Sequence, residues 1–190
     1  MIEWFVIILM LLHPAYYGHH IPANFNPQPG VVYTFDDGYE DFYTKAYPLI
    51  VKNKAYGMVA VITSRNDDKH INAEQIREMD RAGIIIASHT ETHRNLTKLS
   101  DKEIEWELKT SKEKLEKIVG HKIDIIVYPY GAYNDKVISI AKKVGYKYGI
   151  TTHPYTKGLF EIGRIPLEQE VKNDSTRCYQ LCEKYYYLTR

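Results

Sequence analysis

Thr34-Phe35-Asp36-Asp37-Gly38-Tyr39 places two adjacent carboxylates directly after an apolar segment. The residues at 31–35 are mostly β-branched or aromatic, which predicts a strand, and Gly38 allows a sharp turn after it. Where a strand ends the chain bends, so both carboxylates can reach one site. Adjacent buried acids are costly unless something neutralises them, and a metal ion is one solution. A plain Asp-Asp-Gly turn has the same sequence, so this stretch leaves both interpretations open.

A second apolar segment, residues 83–88, runs directly into His89-Thr90-Glu91-Thr92-His93. Two histidines four positions apart lie on one side of a helical turn and can share one divalent ion. This spacing after one predicted strand, together with a carboxylate pair after another, indicates a metal site.

Strands and helices alternate along the chain. Strands are predicted at residues 31–35, 56–63, 83–88, 123–128, 146–152 and 159–166, and helices at 41–54, 73–82, 101–119 and 135–144. The third helix has the clearest signals, with Ser100 and Glu103 forming a capping box and Gly120 ending it. Alternation of this kind predicts parallel βαβ units, and about seven strand candidates predict an α/β barrel in a single domain over residues 1–190.

The bulk composition limits the classes of partner. Lys and Arg number 25 against 24 Asp and Glu, so the charge balance gives no reason to expect a nucleic acid. The 17 tyrosines are suited both to core packing and to stacking on sugar rings. The oligomeric state is left open.

The N-terminal residues 4–12 form an uninterrupted apolar run that is too short to span a bilayer. A signal-peptide core and a buried strand ending at His13-Pro14 both fit it. No integral membrane span is expected. Cys178 and Cys182 are expected to be free thiols, because a disulfide within one helical turn is geometrically awkward.

The chain resembles the polysaccharide deacetylase family, also known as NodB homology or carbohydrate esterase family 4. The resemblance rests on Thr34-Phe35-Asp36-Asp37-Gly38, on His89-Thr90-Glu91-Thr92-His93 and on Tyr128-Pro129-Tyr130-Gly131, which occur in the family's order. It covers most of the chain, from near residue 30 to about 166. It implies a distorted (β/α) barrel of about seven parallel strands with the chemistry at the C-terminal ends of the strands.

The resemblance also implies roles for the conspicuous residues. Asp37, His89 and His93 would hold one divalent ion, zinc in the first place with cobalt, nickel or iron as alternatives. Asp36 would be the general base, and the backbone N–H of Tyr130 would help to hold the oxyanion. Fe(II) in an oxygenase uses the same type of ligand set, but a second carboxylate favours hydrolysis.

Three further residues are candidates for binding substrate. Tyr128 and Tyr130 would line the sugar cleft, and Arg164 in Gly163-Arg164-Ile165-Pro166 lies in the segment that resembles the closing strand of one branch of the family. The expected partner is an acetylated polysaccharide.

The general acid is where the chain departs from the common family pattern. No histidine follows Arg164, no Asp-x-x-Asp-Trp motif occurs, and no arginine precedes the Pro-Tyr block. In one branch, the deacetylases of biofilm poly-N-acetylglucosamine, the catalytic histidine precedes the first motif. Residues 7–13 look similar to that strand, so His13 is the candidate acid. His19 and His20 are alternatives in a polar loop.

The resulting expectation is a metal-dependent enzyme that removes N-acetyl groups from an N-acetylglucosamine-containing polysaccharide. Its presumed substrate implies an extracellular or cell-envelope location, with a cytoplasmic one left open. An O-acetyl esterase acting on xylan or a related polymer, and a catalytically weak sugar-binding domain, are the alternatives.

Overall fold

The computed structural model describes Met10, residues 15–22 and residues 24–167. Apart from Met10, the apolar run at 4–12 lies outside the described residues. The same is true of His13, proposed from sequence as the acid, and of Cys178 and Cys182.

In the part of the chain that the structure describes, seven strands form one all-parallel sheet, as the sequence predicts. They are β1 (Ala15–Gly18), β2 (Val32–Phe35), β3 (Tyr56–Val61), β4 (Ile85–Ser88), β5 (Ile125–Val127), β6 (Tyr148–Ile150) and β7 (Arg164–Pro166). Their order across the sheet is β6-β5-β4-β3-β2-β1-β7. Each neighbouring pair is parallel, so the C-terminal ends of all seven strands share one edge.

Between residues 24 and 167, the strands are connected by four α-helices: α1 (Tyr47–Lys52), α2 (Ala73–Arg81), α3 (Asp101–Val119) and α4 (Asp135–Val144). A π-helical turn, Phe42–Ala46, precedes α1, and Pro48 lies in the first turn of α1. The sequence predicts one helix across both segments, and the structure divides it there. Pro48 suits this position because a first-turn residue needs no backbone donor.

Helix α3 has the capping predicted from sequence. Glu103 accepts hydrogen bonds from the backbone N–H and the hydroxyl of Ser100 at 2.9 and 2.7 Å. The helix ends at Gly120, whose φ of 83° is in the left-handed region. Ile104 and Leu108 are fully buried, so α3 is anchored both at its ends and along its apolar face.

The sheet separates two clusters of apolar side chains. The larger cluster lies between the sheet and the helices and includes Phe35, Leu108 and Val137. The smaller one consists almost entirely of strand residues, among them Met58 and Ala60. Since successive strand residues point to opposite faces, the second cluster fills the inside of a curled sheet. This agrees with the expected distorted barrel.

The segment before β7 joins the two edges of the sheet. Ile162 forms a parallel bridge with Ile150 of β6, and the N–H of Ile162 donates to the carbonyl of Gly149 at 2.9 Å. The same segment then continues as β7, which pairs with β1. Within the described residues, no helix is long and apolar enough to cross a membrane.

Candidate metal centre and active site

The polar side chains of interest follow the ends of neighbouring strands. Asp36 and Asp37 come directly after β2, His89 follows β4, and Pro129–Gly131 forms a 3₁₀ turn just after β5. Because the sheet is parallel, these positions meet at its C-terminal edge.

Asp37, His89 and His93 lie together, as the sequence predicts. One ligand atom from each lies within 4.8 Å of the others. The Nε2 atoms of both histidines are 3.5 Å from Oδ1 of Asp37. That Oδ1 atom is buried and has no hydrogen-bond partner in the structure. A buried oxygen without a partner is costly unless a ligand satisfies it. Two imidazoles and one carboxylate are the donor set of a catalytic zinc site, so these residues fit a divalent ion.

A hydrogen bond through Nδ1 fixes the orientation of the His89 ring. Its Nδ1–H donates to the backbone carbonyl of Val127 on β5 at 2.7 Å. This bond leaves Nε2 as the nitrogen with a lone pair directed toward Asp37. His89 therefore has the tautomer that a metal ligand needs.

The backbone around the site is unusual. Four non-glycine residues there have positive φ: Asp37 (72°), Thr90 (67°), His93 (63°) and Tyr130 (61°). Such conformations cost free energy and persist only where surrounding contacts enforce them. Their concentration at one edge of the sheet supports this edge as the candidate functional site.

The protonation states of Asp37 and His93 favour metal binding. Burial lowers the pKa of His93, although Asp37 and Asp36 act in the opposite direction. Burial raises the pKa of Asp37, but the neighbouring imidazoles outweigh this effect and the net shift is downward. An uncharged His93 and an ionised Asp37 are the protonation states that coordinate metal.

Asp36 does not join this cluster and pairs with Arg164 instead. The two Nη atoms of Arg164 donate to the two carboxylate oxygens at 2.7 and 2.8 Å. Asp36 is 3% exposed and Arg164 0%. Burial raises the pKa of Asp36, yet the charge and hydrogen bonds of Arg164 outweigh it, so the pKa lies below its usual value. Asp36 is therefore held as an ionised carboxylate beside the three candidate metal ligands.

The position of Arg164 corrects its expected role. Its Nη1 also donates to Thr34 Oγ1 at 2.8 Å, its Nε donates to the Thr151 carbonyl at 3.1 Å, and its guanidinium lies 4.5 Å from the ring centre of Tyr17. A side chain with no exposed surface cannot contact a polymeric substrate. The chain lacks an arginine before Pro129, and Arg164 supplies a guanidinium to Asp36 from β7.

The two tyrosines expected to bind substrate differ in how far they are exposed to solvent. Tyr130 is 67% exposed and its ring centre lies 4.7 Å from that of His93, so it borders the site. Tyr128 is 1% exposed, and its hydroxyl donates to the Phe160 carbonyl at 3.2 Å. Its burial, which also raises its pKa, places it in the core and removes it from the substrate-binding surface.

His19 occupies a position at the same edge of the sheet as the aspartates. It is exposed and directly follows Gly18, which pairs with Phe35, the residue before Asp36. His20 points elsewhere: its Nδ1 is 3.4 Å from Asp41, and its ring lies 4.4 Å from that of Tyr39. The signal in the sequence was position, since His19 occupies the end of β1 as Asp36 does that of β2.

Comparison with known proteins gives a consistent result. The family model described as polysaccharide deacetylase matches residues 24–149. The chain is 34% identical over 157 residues to the putative polysaccharide deacetylase YxkH of Bacillus subtilis (strain 168), covering 78% of this chain and 55% of that protein. It is 30% identical over 140 residues to the poly-beta-1,6-N-acetyl-D-glucosamine N-deacetylase of Staphylococcus aureus (strain MRSA252), covering 66% and 48%.

A solved structure is similar as well. The Streptococcus pyogenes deacetylase PplD, in complex with acetate, superposes with a TM-score of 0.68 at 34% identity, over 72% of this chain and 64% of that one. The chain spans about half the length of the curated relatives that it matches.

Proposed function

This chain belongs to the polysaccharide deacetylase family, and we propose that it is a metal-dependent hydrolase that removes N-acetyl groups from an N-acetylglucosamine-containing polysaccharide. The observation that carries the proposal is that His89 and His93 converge on Asp37 Oδ1, a buried oxygen without a hydrogen-bond partner. The ionised Asp36 is the adjacent residue. Similarity to a poly-N-acetylglucosamine deacetylase supports the choice of acyl group and sugar.

The metal would be held by Asp37 Oδ1 and by the Nε2 atoms of His89 and His93. When bound, a divalent ion such as Zn²⁺ supplies a Lewis acid for the acyl oxygen and lowers the pKa of water to roughly 7. Three protein ligands leave room in the coordination shell for water and substrate.

Asp36 is the proposed general base. Arg164 keeps it ionised at neutral pH and fixes the plane of its carboxylate. Each carboxylate oxygen has two lone-pair positions, so Asp36 can accept the proton of an attacking water while both bonds to Arg164 remain.

His19 is the proposed general acid, in place of His13. Hydrolysis of an amide requires a proton on the departing amine nitrogen. His19 is an exposed imidazole that follows β1 where Asp36 follows β2, since Gly18 and Phe35 are paired in the sheet. The backbone N–H of Tyr130 is the proposed donor to the oxyanion. Since such polysaccharides lie outside the cell membrane, we propose an extracellular or cell-envelope location.

The decisive experiment measures acetate release by the metal-stripped protein before and after reloading with Zn²⁺. Substrates are a poly-β-1,6-N-acetylglucosamine oligomer and acetylated xylan, and His89→Ala is the metal-ligand variant. We expect release from the glucosamine oligomer only, dependent on Zn²⁺ and lost in His89→Ala. Release from xylan alone would identify an O-acetyl esterase, and metal binding without release from either substrate would indicate a sugar-binding domain.

A further inference from the structure

The turn that carries both histidines is held in two different ways. Its first half is fixed by backbone hydrogen bonds to β3 and the residues after it: His89 N–H to the Val61 carbonyl at 2.9 Å, and Ser64 N–H to the Glu91 carbonyl at 2.9 Å. These bonds make His89 an extension of the sheet. They stop at Glu91, two residues before His93.

The second half of the turn is held by side chains. Thr90 Oγ1 accepts a hydrogen bond from the N–H of His93 at 3.0 Å. Thr92 uses both of its donors on one group: its N–H donates to Glu107 Oε2 at 2.8 Å, and its hydroxyl donates to Glu107 Oε1. Because His93 has a positive φ, this half of the turn needs such external restraint.

Glu107 is an unexpected residue at its position. It lies in the middle of α3 and is 0% exposed. Burying a carboxylate there is unfavourable, and an apolar residue would pack against the sheet without that cost. A charged acceptor, however, forms stronger hydrogen bonds than a neutral one. Helix α3 is held against the core by the buried side chains of Ile104 and Leu108. Glu107 therefore links Thr92 to a helix whose position is fixed by packing.

We propose that Glu107 is a positioning residue for the metal centre, which acts through Thr92 to hold His93 with its Nε2 directed at Asp37. The inference rests on the metal site of the proposed function, but not on the identity of the polymer. Glu107 itself does not contact the metal or the substrate.

The test measures Zn²⁺ binding to the full chain by calorimetry, with the visible absorption of the Co²⁺-loaded protein as a report on ligand geometry. Thr92→Val removes the hydroxyl and keeps the shape, whereas Thr92→Ser keeps the hydroxyl. Glu107→Gln turns an amide NH₂ toward one of the two donors of Thr92 and so breaks that bond. Glu105→Gln, two residues away and bonded to Lys143 on the surface, is the matched control.

We expect Thr92→Val and Glu107→Gln to bind Zn²⁺ about 10- to 100-fold more weakly and to change the Co²⁺ spectrum, since supporting residues of metal ligands have effects of this size. Thr92→Ser and Glu105→Gln should match the unsubstituted protein. Unchanged affinity in folded Thr92→Val would overturn the inference, as would loss of thermal stability in both variants without a change in affinity or spectrum. If Glu107→Gln does not fold, Thr92→Val alone decides. A protein that binds Zn²⁺ but releases no acetate contradicts the proposed function and leaves this comparison valid.

Discussion

Arg164 and Asp36 are 128 positions apart in the chain and meet through two parallel hydrogen bonds of 2.7 and 2.8 Å. Two-point contact of a guanidinium with a carboxylate fixes both the distance and the plane of the acid. Both groups are buried, so solvent does little to screen their attraction. This pair determines how stable the site is and how Asp36 can act.

Replacing Arg164 by Gln should destabilise the fold. The substitution leaves a buried carboxylate without its cation, which costs about 3–5 kcal/mol. Chemical denaturation measures the loss. Arg94→Gln is the control, because Arg94 pairs with Glu103 at the surface and is expected to matter by less than about 1 kcal/mol. Equal losses of unfolding free energy in the two variants would show that burial does not strengthen the Arg164–Asp36 pair.

Asp36→Asn should abolish most of the activity without affecting the metal. Removing a general base lowers kcat by about 10²–10⁴-fold. Asp36 is not among the three clustered ligand residues, so the affinity for Zn²⁺ should not change. Acetate release and calorimetry provide the two measurements. A parallel loss of Zn²⁺ affinity would mean that Asp36 is a ligand and not the base.

His19→Gln should lower kcat by about 10²–10³-fold, because the departing amine would lose its proton donor. His20→Gln is the matched control, since His20 contacts Asp41 and Tyr39, and it should retain activity. Steady-state kinetics from pH 5 to 10 would distinguish the two. An unaffected His19→Gln variant would return the role of acid to another histidine, and His13→Gln would then be the variant to measure.

Gly131→Ala should be more harmful than Gly120→Ala, although both glycines have positive φ. A Cβ at Gly131 would lie 2.1 Å from Thr152 Oγ1, whereas one at Gly120 meets nothing within 4 Å. Backbone strain of about 1–2 kcal/mol applies to both, and overpacking adds about 1–3 kcal/mol at Gly131 alone. Urea denaturation should resolve this difference. Because Tyr130 is the adjacent residue, activity should fall with stability only at Gly131.

Acid should weaken the capping of α3. Hydrogen bonds from the hydroxyl and N–H of Ser100, with Arg94 nearby, lower the pKa of Glu103 to about 2 from an ordinary value of 4.5. A carboxyl with a lowered pKa stabilises the folded state above its unfolded pKa, and this contribution is lost as the pH falls from about 4.5 to 2. Glu103→Gln should therefore show a smaller fall in Tm over this interval. Identical slopes for the two proteins would contradict the role of the cap.

Local features of the fold were predictable because their causes are local. The capping box of Ser100 and Glu103 joins residues three positions apart. The spacing of His89 and His93 correctly predicts a shared site, but the predicted helical turn is wrong, since the segment is irregular and Thr90 and His93 have positive φ. The pattern of apolar segments predicted the parallel sheet from periodicity alone. The grouping of Asp37 with the two histidines followed from the resemblance to the family, and the strand order came only from the structure.

The remaining features depended on contacts that no local pattern specifies. Arg164 was assigned to the substrate because nothing nearby in sequence indicates a partner 128 residues earlier. The contact of Glu107 with Thr92 could not be predicted, since a glutamate on a helix is ordinarily exposed. Strand β1 was not predicted, because it is only four residues long and directly precedes the polar loop in which His19 and His20 were correctly placed.

The segment that joins the sheet edges also has a consequence for biosynthesis. Asp36, Asp37, His89 and His93 leave the ribosome well before Arg164, which is carried by the strand that pairs with β1. A nascent chain that ends before residue 164 contains the three proposed metal ligands but leaves Asp36 without its guanidinium. Competence for hydrolysis would thus arise at a late step of translation, when the closing strand docks.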